Sequence, residues 1–222
     1  MKIVRTDKEL QTPVIDARLR EAGHELVLLP DGIAEDKLIE QIGDVDLILM
    51  CYTPITSRVI EAAKKLKGIV KYGVGIDAID IPAAVERGIP VVNIPEYAEE
   101  TVAEGAFALL IALAKKMPAI RNTMENNGWA WPEPPWLGSD IAGKTLGIVG
   151  FGKIGKSMAR MASKGFRARV ISFSPHTDST EMEKFGVIKY SSLSQLLSDS
   201  DFVSIHSVLN AETEKLIGEK EL

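Results

Sequence analysis

The sequence predicts an α/β fold of two lobes, each built on a parallel sheet, the second being a doubly wound sheet that is incomplete at its C-terminal side. Short apolar strands alternate with helical stretches in two successive arrays, the pattern of parallel sheets covered by helices on both faces. A glycine-rich turn joins the first strand of the second array to a helix. The 222 residues, 45% hydrophobic and 26% charged, suffice for two lobes, which we expect at 1–98 and 99–222.

The first array contains five predicted strands and four predicted helices. The strands are expected at 2–5, 25–29, 46–50, 68–72 and 90–94, and the helices at 12–22, 35–42, 57–66 and 81–87. The second array has predicted strands at 145–150, 168–174, 187–190 and 202–206, with helices at 153–164 and 193–197. This second pattern corresponds to half of a doubly wound nucleotide-binding sheet plus one strand.

Two segments lie between the arrays. Residues 99–117 are rich in alanine and leucine and are apolar around nearly the whole circumference, which predicts a buried connecting helix. Segment 118–140 carries all three tryptophans, Trp129, Trp131 and Trp136. It is either a long loop held to its own chain by aromatic burial or an arm exchanged with a second subunit, since tryptophan is enriched at interfaces.

The glycine-rich turn carries the strongest functional signal. Gly150, Gly152 and Gly155 form a G-x-G-x-x-G run between an apolar strand and a helix. The first glycine allows a tight turn, the second lets the backbone approach a pyrophosphate, and the third lets the helix lie close to the strand. A phosphate-loop pattern at 138–145 precedes a strand instead of opening a helix, which argues against an ATP or GTP site. We therefore predict a dinucleotide site.

Composition excludes several other classes of protein. A net charge of −5 without a basic cluster argues against nucleic acid or an anionic membrane as partner. The single cysteine, Cys51, excludes an internal disulfide and a cysteine-rich metal site, and its position after an apolar run suggests a buried structural thiol. With neither a signal peptide nor a membrane span visible, we expect a cytoplasmic protein without a bound metal.

Four stretches together resemble the D-isomer-specific 2-hydroxyacid dehydrogenases. They are 71–80, 88–95 with 101–104, 143–159 and 206–218, and they occur in the order found in that family. The resemblance extends over essentially the whole chain. The resemblance implies a flavodoxin-like substrate lobe and a Rossmann lobe that binds NAD or NADP. It also implies a small 2-hydroxy or 2-oxo acid substrate held between the lobes, and a homodimer.

The resemblance assigns substrate-binding residues in the first lobe. Gly73, Val74 and Gly75 look like the family's carboxylate-binding loop, in which backbone N–H groups can point at an anion. The alternative is an ordinary strand-to-helix turn. Tyr52 and Thr53 end the third strand and could add hydroxyl donors, although Tyr52 is equally interpretable as a packed aromatic side chain.

It also assigns cofactor-binding residues in the second lobe. Lys153 and Ile154 stand at the helix entrance where N–H groups would meet the pyrophosphate. Thr101 looks like a cap residue near the nicotinamide, with a purely structural N-cap as the alternative. Thr213, in the last of the four stretches, completes this group.

Ser174 stands where Asp or Glu usually bonds the adenosine ribose and favours NAD. The absence of that carboxylate, with His176 nearby but no arginine, slightly favours NADP or use of both cofactors. His206, Ser207 and Val208 follow the fourth strand and should line the adenosine or nicotinamide-ribose side, where the family usually has proline at the position of Val208. His206 is not expected to be the catalytic base.

In the family an arginine, a glutamate and a histidine bind the substrate carbonyl and supply the proton, and all three lie beyond the point that matches Leu222. We therefore predict no catalytic residue within the 222 residues and expect little activity from them alone, as for a fragment of a longer enzyme. The alternatives are an inactive short paralogue or a dinucleotide-sensing binding protein similar to the related corepressors. The particular 2-hydroxy acid is left open.

Overall fold

The computed structural model describes residues 1–129, 131 and 133–221. Two residues of the predicted arm, Ala130 and Pro132, and the terminal Leu222 lie outside the described residues. The chain divides into two compact units, Met1–Tyr97 and Ala98–Leu222, each with one parallel sheet. This arrangement confirms the predicted α/β class, whereas the assignment of substrate and cofactor to the respective units stays a prediction.

The first unit has a five-stranded sheet in the order β2-β1-β3-β4-β5. Its elements are β1 Lys2–Arg5, α1 Pro13–Glu21, β2 Glu25–Leu28, α2 Glu35–Gln41, β3 Leu47–Met50, α3 Ser57–Ala62, β4 Gly68–Lys71, α4 Ile81–Glu86 and β5 Val91–Val92. Every predicted element is present. The largest differences in length are in β5, which has two residues where five were predicted, and in α3, which ends four residues early.

The core of the first unit follows the strand register. Val4, Ile48 and Ile69 are aligned across β1, β3 and β4, and all three are fully buried. Ile3 and Arg5, which flank Val4 on β1 and whose side chains therefore point to the opposite face, are also buried, so helices cover both faces of the sheet. Burying each large aliphatic side chain contributes about 1.5–3 kcal/mol. The carboxyl ends of β1, β3 and β4 are thereby held at one edge.

The second unit has a four-stranded sheet in the order β8-β7-β6-β9. Its elements are α5 Glu99–Ala114, α6 Met117–Asn127, a short 3-10 helix Pro134–Trp136, β6 Thr145–Val149, α7 Lys153–Arg160, β7 Arg169–Phe173, α8 Ser179–Glu183, β8 Ile188–Tyr190, α9 Leu193–Ser198 and β9 Phe202–Ile205. Helix α7 continues as a π-helical turn through Gly165. Helix α8 was not predicted from the sequence.

The prediction of one buried helix over 99–117 is wrong in two respects. The chain turns at Lys116, which is left-handed with φ of 52°, so that α5 ends and α6 begins. Leu109 and Leu113 are 68% and 70% exposed, because the neighbouring secondary structure covers only one face of α5. The buried face is formed by Ala103, Phe107, Leu110 and Ala114.

The interpretation of 118–140 as a loop held by aromatic burial is also wrong. Helix α6 occupies the first half of the segment and ends at Gly128, whose φ of 81° suits glycine. Trp129 and Trp131 are 60% and 72% exposed, and only Trp136 is half-buried. Their burial therefore does not hold the segment, and the arm interpretation stays a prediction.

Candidate functional site

The turn between β6 and α7 requires glycine at its first position. Gly150 has φ of 94°, and a Cβ there would lie 2.6 Å from the backbone nitrogen of Ser207. The N–H of Gly150 donates to the carbonyl of Phe173 at 2.9 Å, and the N–H of His206 donates to that of Val149 at 2.7 Å. The carboxyl ends of β6, β7 and β9 therefore meet around this glycine.

Gly152 and Gly155 have different roles in the turn. Gly152 is the extended N-cap residue of α7, and no atom lies within 4 Å of where its Cβ would be. A Cβ on the buried Gly155 would overlap the carbonyl oxygen of Gly150. The first turn of α7 can therefore contact the end of β6 only because residue 155 is glycine. The N–H groups at the N-terminus of α7, including those of Lys153 and Ile154, lie beside Gly152, which has no side chain. This cradle fits an anionic pyrophosphate.

Polar contacts on the flanks of α7 hold it in place. The hydroxyl of Ser157 donates to a carboxylate oxygen of Glu100 at 2.8 Å, and Arg160 forms an ion pair with the same carboxylate. Lys156 forms an ion pair with Glu181 of α8. The helix that carries the turn is therefore tied to α5 and α8 as well as to its own sheet.

Ser174 lies at the carboxyl end of β7, with its hydroxyl 3.0 Å from that of Thr177 in the same loop. His176 is exposed and lies 3.9 Å from a carboxylate oxygen of Glu212. The structure adds a cation that the sequence interpretation missed, because the ammonium of Lys189 donates to the carbonyl of Thr177 at 2.6 Å. Lys189 is on β8, opposite Ser172 in the register. The predicted strand 187–190 contains Lys189, so pairing that strand with β7 would have indicated a cation near Ser174.

The segment after β9 is organised by its own hydrogen bonds. The ring Nε2 of His206 lies 2.9 Å from the hydroxyl of Ser204, and burial lowers the pKa of His206. Val208 is 78% exposed. The hydroxyl of Thr213 donates to the carbonyl of Val208 and accepts from the N–H of Asn210 at 2.9 Å. Thr213 therefore stabilises the loop in which it lies. Of the predicted cofactor-binding residues after β9, Ser207 is the one that lies beside Gly150 of the glycine-rich turn.

Thr101 does not cap α5. The N-cap residue is Ala98, the helix begins at Glu99, and Thr101 is the exposed third residue of the helix. The prediction that it opens the helix is therefore wrong. Its place in the cofactor group stays a prediction.

In the first unit, the predicted carboxylate-binding loop follows β4. Val74 and Gly75 are exposed. Two hydrogen bonds hold the loop. The side-chain amide of Asn93 donates to the carbonyl of Val74 at 2.8 Å, and the N–H of Ile94 donates to the carbonyl of Gly73 at 3.0 Å. Within this loop Gly73 is buried, whereas Val74 and Gly75 lie at the surface of the unit.

The interpretation of Tyr52 as a packed aromatic side chain is wrong, since it is 70% exposed. The ammonium of Lys71 lies 5.4 Å from the centre of its ring and also donates to the carbonyl of Cys51. The hydroxyl of Thr53 is buried and donates to Asp7 at 2.9 Å. Of the two predicted hydroxyl donors, only that of Tyr52 is therefore directed away from the core.

Asp7, which sequence reasoning missed, organises the turn after β3. It is buried at a left-handed φ of 56°, and its carboxylate accepts from the N–H groups of Cys51 and Tyr52 at 2.9 and 3.1 Å. Burial alone would raise the pKa of Asp7, but the hydrogen bonds from Thr6, Cys51, Tyr52 and Thr53 lower it. An ionised carboxylate thus holds Tyr52 in position.

Cys51 is buried, as expected. Burial raises the pKa of its thiol, which lies 3.7 Å from the carbonyl of Tyr72. Burial likewise raises the pKa of Tyr72 to about 12. Both groups therefore stay protonated at neutral pH, and the thiol is unsuited to nucleophilic chemistry.

Among residues 1–129, 131 and 133–221, no cluster of three or more His, Cys, Asp or Glu side chains could hold a metal ion. In the same part of the chain, none of the helices combines the length and the apolar character needed to cross a bilayer.

A parallel α/β unit with a glycine turn at its first strand–helix junction defines the class of dinucleotide-binding α/β proteins. Residues 107–222 match the family model described as "D-isomer specific 2-hydroxyacid dehydrogenase, NAD binding domain". The chain belongs to the D-isomer specific 2-hydroxyacid dehydrogenase family, and the prediction made from its four motifs is confirmed.

Individual relatives support this assignment. A glyoxylate reductase of Korarchaeum cryptofilum is 41% identical over 210 residues, which are 91% of this chain and 62% of that protein. The TT0316 protein of Thermus thermophilus has a solved structure that is 31% identical with a TM-score of 0.86, covering all of this chain and 69% of that one. The acyclic imino acid reductase Bsp5, solved with NADPH and D-Arg, is 30% identical with a TM-score of 0.85, covering 100% and 70% respectively. This chain thus spans less than two thirds of the length of the glyoxylate reductase.

Proposed function

We propose that the chain serves an NAD(P)-dependent oxidoreductase that transfers hydride between nicotinamide and a small 2-hydroxy or 2-oxo acid. The observation that carries this proposal is the Gly150–Gly155 turn, in which two glycines are required by the fold and Gly152 leaves open space at a helix N-terminus. The similarity to a glyoxylate reductase supports the proposed substrate class.

In this proposal the second unit binds and orients the dinucleotide. The N–H groups at the start of α7, including those of Lys153 and Ile154, bind the pyrophosphate, and Ser207 borders the turn through its contact with Gly150. Ser174 lies at the position of the adenosine ribose. The bound nicotinamide would supply or accept the hydride.

The first unit contributes anion binding. The backbone N–H groups of the Gly73–Gly75 loop, in which Val74 and Gly75 are exposed, bind the substrate carboxylate, and the hydroxyl of Tyr52 donates to the substrate. Asp7 positions Tyr52 by accepting its backbone N–H, and the Lys71 ammonium places positive charge over the Tyr52 ring. A small anionic acid suits these groups better than a neutral substrate does.

For the cofactor we propose NADP or use of both cofactors. Ser174 brings no carboxylate that would repel a 2′-phosphate, and the related imino acid reductase Bsp5 was solved with NADPH. A carboxylate at this position would instead favour NAD.

Calorimetric titration with NADH and NADPH tests the proposal, followed by an assay of cofactor oxidation in the presence of glyoxylate or hydroxypyruvate by the natural protein that carries this sequence. We expect saturable binding of at least one dinucleotide and oxidation that depends on the 2-oxo acid. Failure to bind either dinucleotide would contradict the proposal. Binding without any turnover would favour the dinucleotide-sensing alternative.

We also propose that the protein is a homodimer that uses the exposed apolar surface of α5, α6 and the following segment. Large apolar side chains rarely lie together in contact with solvent unless they bind a partner. The surface contains Leu109, Leu113, Met117, Met124, Trp129 and Trp131, each between 39% and 72% exposed.

Sedimentation equilibrium is expected to give twice the mass of one subunit. The double substitution Leu109→Lys and Leu113→Lys should shift the protein to monomer, because charge would be buried without a partner. Val85→Lys is the matched control, since Val85 is 71% exposed in the other unit. A monomeric unsubstituted protein would contradict the proposal.

A further inference from the structure

We infer that Lys189 is the cation that binds the 2′-phosphate of an adenine dinucleotide, together with the hydroxyls of Ser174 and Thr177. The inference rests on the proposed function and deepens it. It assigns cofactor specificity to a residue of β8, in addition to the β7 loop in which a specificity-determining side chain is expected.

Three polar groups meet at the carboxyl end of β7. The ammonium of Lys189 reaches across from β8 to the carbonyl of Thr177 at 2.6 Å. The hydroxyls of Thr177 and Ser174 are 3.0 Å apart. Because β8 pairs with β7 through Ser172 and Lys189, the sheet sets the position of the Lys189 backbone, and the hydrogen bond to Thr177 locates its ammonium beside this loop. The cation and the two hydroxyls therefore occupy one small region.

The charges of this region suit an anion. A lysine ammonium carries three N–H donors, and the carbonyl of Thr177 uses one of those of Lys189. Two carboxylates near this loop, those of Glu181 and Glu212, pair with Lys156 and His176 and not with Lys189. The two remaining donors are thus available to a phosphate.

The difference between the two cofactors follows from these donors. The 2′-phosphate of NADP would accept charge-assisted hydrogen bonds from the two remaining N–H donors of Lys189. The 2′-hydroxyl of NAD is neutral and would form weaker hydrogen bonds with the same ammonium.

The test compares adenosine 2′,5′-bisphosphate with adenosine 5′-monophosphate as calorimetric probes, because they differ only in the 2′-phosphate. Lys189→Met is expected to weaken binding of the bisphosphate about tenfold and to change binding of the monophosphate less than about twofold. Lys189→Arg should retain binding of the bisphosphate. Lys164→Met is the matched control, since Lys164 is exposed at the opposite end of the α7 segment, and it should change neither affinity.

The outcomes distinguish this inference from the proposed function. If Lys189→Met binds the bisphosphate as tightly as the unsubstituted protein does, the inference is overturned while dinucleotide binding stands. An equal loss of affinity for both probes would also overturn it, because Lys189 would then act only by supporting the loop. If the unsubstituted protein binds neither probe nor either dinucleotide, the proposed function fails as well.

Discussion

Replacing Gly155 by alanine is expected to lower the free energy of unfolding of the second unit by about 3 kcal/mol and to abolish measurable dinucleotide binding. The added Cβ would overlap the carbonyl oxygen of Gly150, which belongs to the backbone of a turn with φ of 94°. Neither atom can move without separating α7 from β6. Urea denaturation and calorimetric titration with NADPH measure the two effects.

Two further glycines provide controls for this prediction. Gly152→Ala places its Cβ in open space, so it should change the free energy of unfolding by less than about 1 kcal/mol while weakening dinucleotide binding more than about tenfold. Gly165→Ala, at the far end of the same helical segment and also without neighbours within 4 Å, should change neither quantity much. An unfolding curve for Gly155→Ala that matches that of Gly165→Ala would refute the prediction.

Replacing Arg5 by alanine is expected to destabilise the first unit by about 3–5 kcal/mol. The Arg5 side chain is 2% exposed, and it donates to both carboxylate oxygens of Asp16 at 3.0 and 2.9 Å. It also donates to the carbonyls of Asp7 and Leu10. Removal of the guanidinium would leave the carboxylate of Asp16, which is 10% exposed, buried without its cation. Chemical denaturation at neutral pH measures the change.

Arg58 is the matched surface control. It pairs with Glu35 and Asp36, but its side chain is 60% exposed, so Arg58→Ala should destabilise the unit far less than Arg5→Ala does. The double substitution Arg5→Met and Asp16→Leu should recover much of the lost stability, because it removes both buried charges. Equal losses for Arg5→Ala and Arg58→Ala would show that burial does not set the strength of these pairs.

Much of the fold could be predicted because buried parallel strands are continuous apolar runs bounded by turn residues. This is why all nine strands of the two described sheets were found, most of them to within one or two residues. The turn was predictable for a related reason, since the positive φ of Gly150 and the contact between Gly155 and the carbonyl of Gly150 are features of local backbone geometry. Four short motifs sufficed for the family.

The errors occurred where the outcome depends on which neighbour covers a surface. An alanine-rich helix such as α5 has too little polar patterning to reveal its exposed face, and the neighbouring elements leave Leu109 and Leu113 exposed. For the same reason, the sequence did not decide whether the tryptophans of segment 118–140 are buried in their own chain or contact a second subunit. Tyr52 is exposed although its type is compatible with a core position.

The sequence by itself thus determined the class of fold, the order of its elements and the glycine turn, because these depend on periodicity and on backbone conformations encoded within a few residues. Only the tertiary structure decided the partners of Asp7 and the position of Lys189 beside Thr177. The first depends on contacts 44 to 46 residues apart, and the second on the pairing of two strands. Such contacts form when separate elements pack, and no local pattern records them.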